Sequence, residues 1–292
     1  MEIGVRIPHT GARATPAFVR EWCTTADTLG YDILWGADHL VMPQKVESLY
    51  PLPRQPAALA DDAVSDLLSP NFELLTTLAH VAAVTERIKL ATGVIVLPIR
   101  NAVLNARQLA TIDRYSNGRV LCGVGAGWLR EEAAAMGMPW DRRGRRTEEH
   151  IALLRALWTA PGEHVEFHGE FWDLPPLDPE PRPVQQPIPI LVGGHSDIAI
   201  DRAARLGDGW IAAAMSADRL AEMTPALRSA LDRHDRDPAA VPVYVGARPG
   251  PPLTLDDLRR YEDAGAHAVQ VALDTLDDLR RFADDVLPHL RG

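Results

Sequence analysis

Eight short apolar runs, each followed by a stretch of helical period, recur from one end of the chain to the other. They occupy residues 3–8, 32–37, 88–97, 120–125, 188–193, 209–213, 241–246 and 268–273. Val, Ile and Leu fill them with little polar alternation, the pattern of strands buried on both faces by covering helices. Helical periods follow over 16–29, 72–85, 102–116, 147–158, 198–206, 219–233, 255–264 and 276–287. Several carry boundary signals: Thr15 before Pro16, Gly30 after Leu29, and Asn117-Gly118 after Ser116. Such alternation leaves an open doubly wound sheet or a closed TIM (β/α)8 barrel. The open sheet places GxGxxG after its first strand, whereas "RIPHTGARATP" holds its glycine in another context. Eight βα units therefore predict an α/β TIM barrel, a single domain over residues 1–292.

Two segments interrupt the repeat. Residues 41–70 are proline-rich and without period; following a strand, they fall on the C-terminal face of a barrel, where a lid belongs. Residues 162–186 contain "HVEFHGEFWDL", which alternates like a hairpin, and form an insertion before the second half-barrel.

Composition narrows the partners. A formal charge of −10 argues against nucleic acid as the main partner. Cys23 and Cys122 lack any ligand spacing and read as reduced core thiols. The start, "MEIGVRIPHTG", shows no basic region followed by an apolar one, and no run reaches the roughly 18 apolar residues of a membrane span. The expectation is a cytoplasmic protein with no membrane partner. No HxH, HExxH or carboxylate cluster falls at the strand ends, so no metal is expected, and neither GxSxG nor a Walker loop is present.

In a barrel, chemistry belongs to the C-terminal ends of strands. The second run ends in "GADHL", which sets Asp38 beside His39; a histidine there can act as acid, base or donor, although such a pair is also ordinary loop polarity. Gly93 interrupts the third run, where glycine marks a bulge or a close approach. "GVGAGWLREE" brings Gly123, Gly125 and Gly127 ahead of Trp128, a side-chain-free wall with a ring that could stack on a planar ligand or simply pack. "ILVGGHSDIAIDRAARLGDGW" hands a strand to a helix across Gly193 and Gly194, which suits an anion or a tight turn. "WDRRGRRTEEH" clusters Arg142, Arg143, Arg145 and Arg146; a solvated face and an anion contact both remain open.

Taken together, "GYDILWGADHLVMP", "TERIKLATGVIVLPIRNAVLNARQLATID", "SNGRVLCGVGAGWLREE" and "PILVGGHSDIAIDRAARLGDGW" resemble the luciferase-like monooxygenase superfamily, especially its coenzyme F420-dependent oxidoreductases. The resemblance runs from Gly4 to about Trp210 and fades in the last third. It implies a barrel with a flavin or deazaflavin across its C-terminal mouth. Asp38 and His39 would lie beside the ring as catalytic residues, His39 as acid or hydrogen-bond donor. It further implies a cis peptide at Gly93-Val94 backing the ring, with Gly125, Gly127 and Trp128 on its flank. Gly193, Gly194, His195 and Ser196 would hold the phosphate. Sugar-phosphate dehydrogenases of the F420 group carry a glutamate where this chain has Trp128, which argues against that activity. Three functions follow: hydride transfer between F420 and a small organic substrate; an FMN-dependent monooxygenase fed by a separate reductase; or a cofactor-binding barrel without turnover. A homodimer is expected from the family.

Overall fold

The computed structural model describes residues 1–48, 71–160, 162, 164–246 and 250–290. Its strands are β1 (Glu2–Arg6), β2 (Ile33–Gly36), β3 (Lys89–Thr92), β4 (Ile95–Val96), β5 (Val120–Gly125), β6 (Val165–His168), β7 (Asp173–Leu177), β8 (Ile190–Gly193), β9 (Gly209–Ala212), β10 (Val243–Val245) and β11 (Ala266–Val271). Parallel pairing runs β3-β2-β1-β11-β10-β9-β8-β5, and β3 also pairs with β5, so the sheet closes on itself. With β3 and β4 as two parts of one strand, this is the eight-stranded barrel that the repeat predicts. The expected insertion forms the antiparallel β6–β7 hairpin, outside the barrel sheet.

Apolar burial divides into a shell and an interior. The outward sides of the strands pack under the helices, with Leu34, Leu90, Cys122 and Ile190 fully buried. Burial pushes the Cys122 thiol up to about 12, the behaviour of an inert core thiol. Inside the barrel, Ile33, Trp35, Ala91, Leu191 and Tyr244 fill the lumen, and Val94 packs on top of them. Trp35 meets Tyr244 edge to face at 5.9 Å, and a Cβ on Gly93 would lie 2.8 Å from the Trp35 ring. Glycine is therefore required there because a large indole occupies the lumen.

Capping side chains fix most helix starts. Thr15, Asn101, Ser196 and Ser216 each accept a backbone N–H from the first turn, and Thr254 with Asp257 and Thr275 with Asp278 form reciprocal capping boxes. One expectation needs correction. The helix predicted from 147 begins earlier, as Arg143–Thr159, and a short helix, Arg130–Ala135, follows Trp128. Of the lid segment, 41–48 are described and 49–70 lie outside the described residues. Among the described residues no helix is long and apolar enough to cross a membrane.

Candidate active site

The C-terminal mouth is shaped by a change of step in one strand. Leu90 and Ala91 pair with Val120 and Leu121, but Ile95 and Val96 pair with Val124 and Gly125, so one extra residue is accommodated between β3 and β4. The Gly93–Val94 peptide within that bulge is cis. Across from it, β5 and its continuation lack side chains at every second position. A Cβ on Gly123 would collide with the Thr92 carbonyl, one on Gly125 would reach Val94 at 2.7 Å, and one on Gly127 would reach Val96 at 2.8 Å. Gly193 on β8 leaves similar room, 2.9 Å from Val94. The side-chain-free wall thus receives the bulged strand, and Val94 is set over Trp35 as the floor of the mouth.

Asp38 follows β2 and is buried. Its carboxylate accepts from the Val96 amide at 2.9 Å and from Arg100 Nε and Nη2 at 3.1 and 2.6 Å. Arg100 is itself only 8% exposed and also donates to Glu73 at 2.8 Å. Hydrogen bonds from Thr76 and Arg100 outweigh burial and hold the Glu73 carboxyl below its usual range. Both Asp38 oxygens are committed to protein donors, and the side chain pins the backbone just beyond the bulge.

His39 is placed differently. Its Nδ1 lies 3.0 Å from Glu132 Oε2, within hydrogen-bond distance, while Glu132 Oε1 accepts from the Leu40 amide at 2.6 Å and the Val41 amide at 3.4 Å. Glu132 is 2% exposed, and the His39 side chain 14%. The Trp128 ring stands nearly perpendicular to the imidazole at 6.0 Å. From the other side, Asn71 Nδ2 donates to the His39 carbonyl at 2.8 Å. Glu131, next along the same short helix, accepts from the amides of Glu47 and Ser48 and from the Ser48 hydroxyl at 2.6 Å. The Ser48 hydroxyl bond leads in lowering the Glu131 carboxyl to about 2. Neither glutamate was singled out in the sequence, although both stand in "GWLREE" beside a residue that was.

The loop after β8 turns sharply into the helix Asp197–Leu206. Gly194 has φ 130°, and a Cβ there would sit 2.6 Å from the Ala199 Cβ, so the turn itself accounts for this glycine. Its carbonyl accepts from Trp210 Nε1 at 2.8 Å. Ser196 caps the helix by accepting from the Ala199 amide at 3.2 Å. His195 Nε2 is buried with no hydrogen-bond partner among the described residues, and burial, with Arg219 nearby, holds this imidazole below its ordinary pKa. In the neutral ring this orphaned nitrogen is an acceptor, so the turn suits a ligand that brings a hydroxyl or protonated phosphate oxygen to His195 Nε2 and acceptor oxygens to the helix amides. Asp197 in the first turn adds an opposing charge.

The arginine cluster divides its work. Arg142 and Arg145 pair with Glu170, and the guanidinium of Arg146 lies 4.5 Å from the Phe171 ring centre. Glu149 accepts the amides of Glu170, Phe171 and Trp172 at 2.8–2.9 Å, so the turn joining β6 to β7 is latched to the helix Arg143–Thr159. Arg143 faces the mouth side: it stacks on Trp140 at 4.0 Å and donates to the Gly127 carbonyl at 3.4 Å. Among the described residues no group of three or more His, Cys, Asp or Glu is placed to hold a metal ion.

A family model described as luciferase-like monooxygenase matches residues 1–269. An uncharacterised protein of Mycobacterium tuberculosis is 32% identical over 269 residues, 91% of this chain and 88% of that one. An F420-dependent glucose-6-phosphate dehydrogenase of Amycolatopsis mediterranei is 31% identical over 200 residues, 67% of this chain and 53% of its own length. An FMNH(2)-dependent dimethylsulfone monooxygenase of Pseudomonas putida is 39% identical over 139 residues, covering 46% and 38%. The fold matches the solved structure of an F420-dependent secondary alcohol dehydrogenase, with TM-score 0.76, 16% identity and coverage of 100% and 99%.

Proposed function

This chain belongs to the luciferase-like monooxygenase family, and on that premise we propose an oxidoreductase that transfers a hydride between coenzyme F420 and a small organic substrate. One observation carries the reading: a titratable ring, His39, is braced by a buried carboxylate at the end of β2, beside the residue that pins the backbone past the bulge. The relative aligned over 200 residues supports F420 as the coenzyme.

The residues fit such a group. Gly93, Val94, Gly125, Gly127 and Trp128 would line its ring, and Gly193, Gly194, His195 and Ser196 would hold its phosphate; the orphaned His195 nitrogen speaks for the latter. Bound there, a deazaflavin supplies a carbon hydride carrier. The protein's share is positioning, water exclusion and the proton. Val94 over Trp35 closes the floor against solvent from the barrel side. With Nδ1 committed to Glu132, His39 exchanges a proton with substrate at Nε2. Asp38 acts at one remove, holding Val96 and Arg100 in place.

A second reading, an FMN-dependent monooxygenase using oxygen and a separate reductase, draws on the 39% identity to the dimethylsulfone enzyme. Titrating F420 and FMN separately against quenching of the chain's seven tryptophans separates the two. Tight, saturable quenching by F420 with weak response to FMN is expected; the reverse preference refutes the F420 assignment.

A further inference from the structure

We propose that Glu132 is a positioning residue that sets the tautomer of His39, fixing the proton on Nδ1 so that Nε2 meets the substrate as the proton-accepting nitrogen. The inference deepens the function proposed for this site and rests on it for its kinetic arm alone. Its basis is how the carboxylate distributes its bonds. Oε2 takes His39 Nδ1 at 3.0 Å, and Oε1 takes the amides of Leu40 and Val41 at 2.6 and 3.4 Å. Those amides belong to the residues directly after His39, so the carboxylate holds ring and backbone in one frame. It cannot turn away from the ring without abandoning them. The carboxylate has no proton to offer, and in the neutral ring only Nδ1–H satisfies the contact. Burial to 2% exposure keeps water from substituting for either partner. Trp128 at 6.0 Å and the Asn71 bond to the His39 carbonyl limit the remaining freedom of the residue.

Glu132→Gln isolates this role. Its amide oxygen still accepts from the Leu40 and Val41 amides, which preserves the backbone anchor. Its NH2 group then faces Nδ1 and donates to it, so the neutral ring must carry its proton on Nε2. The opposite amide orientation would set NH2 against two backbone donors. One atom's exchange therefore inverts the tautomer while the loop stays held.

The experiment is long-range proton–nitrogen NMR of protein labelled with 15N-histidine, at a pH where His39 is neutral, with the His39 signals identified by their loss in His39→Gln. Wild type is expected to show the Nδ1–H form and Glu132→Gln the Nε2–H form. In single-turnover assays Glu132→Gln should lose about 100-fold or more in rate, with KM and cofactor affinity within about threefold of wild type. A neutral wild-type ring carrying its proton on Nε2 overturns the proposal, and that spectrum decides even if the variant does not fold. A variant that keeps Nδ1–H overturns it as well. Exchange of tautomer with undiminished turnover supports the tautomer assignment and instead removes His39 from proton transfer, refuting the function proposed above.

Discussion

Replacing Asp38 by Asn tests whether this carboxylate is structural or chemical. Its side chain is fully buried, and that of Arg100 is 8% exposed, so the pair lies where breaking an ion pair costs about 3–5 kcal/mol. Two features place Asp38→Asn at the lower end. The amide oxygen can still accept from Val96, and Arg100 keeps Glu73 at 2.8 Å. We therefore expect a loss of about 3 kcal/mol in unfolding free energy. Asp38→Ala also orphans the Val96 amide, which adds about 1–3 kcal/mol. Equilibrium urea denaturation followed by tryptophan fluorescence measures both, and single-turnover hydride transfer on folded, cofactor-saturated protein measures chemistry. The cycle with Arg100→Gln should return a coupling of about 0.5–3 kcal/mol. If Asp38→Asn denatures within about 1 kcal/mol of wild type while its single-turnover rate falls about 100-fold, the carboxylate is a reacting group and the reasoning here is wrong.

Two further outcomes are expected. Burial lowers the His150 pKa to about 3 from an ordinary 6.5, so the unfolded chain takes up a proton that the folded one refuses. Its contribution to stability is intact above about pH 6.5 and is lost as pH falls toward 3, by at most about 1.4 kcal/mol per pH unit. Urea titrations between about pH 7 and about pH 5 should show a shallower slope in His150→Gln, and an unchanged slope would refute the assignment. Asp197 opposes an anion at the N-terminus of its helix, so Asp197→Asn should tighten binding of a phosphate-bearing cofactor by about two- to fivefold, corresponding to about 0.3–1 kcal/mol. The gain should shrink in high salt, and weaker binding would remove the phosphate from this turn.

What could be read from sequence follows a physical division. The barrel was legible because each strand is buried on both faces and each helix on one, and those two periods are written in neighbouring residues. The cap at Thr15 was legible for the same local reason. The partners of the mouth residues were not. Arg100 lies 62 residues from Asp38 and Glu132 lies 93 from His39, and nothing in "PIRN" or "LREE" announces which side chain it will meet. The glycines were noticed, but the side chain that needs their space was not. Gly125 and Gly193 leave room for Val94, a contact that exists only once the third barrel strand has changed step. The arginines looked like one patch because they are contiguous, whereas three of them meet the β6–β7 turn and Arg143 is sent to Trp140 and Gly127 on the mouth side.

That change of step also governs how relatives of this chain should be compared. Below it the lumen is filled from Ala91, an odd-numbered position; above it the inward residue is Val94, an even one, while Ile95 faces the helices. Numbering along the strand therefore loses its parity at a single peptide. An alignment that carries one alternation straight through would assign inward residues to the outside, and any catalogue of mouth-facing positions across the family needs two origins, one on either side of Gly93.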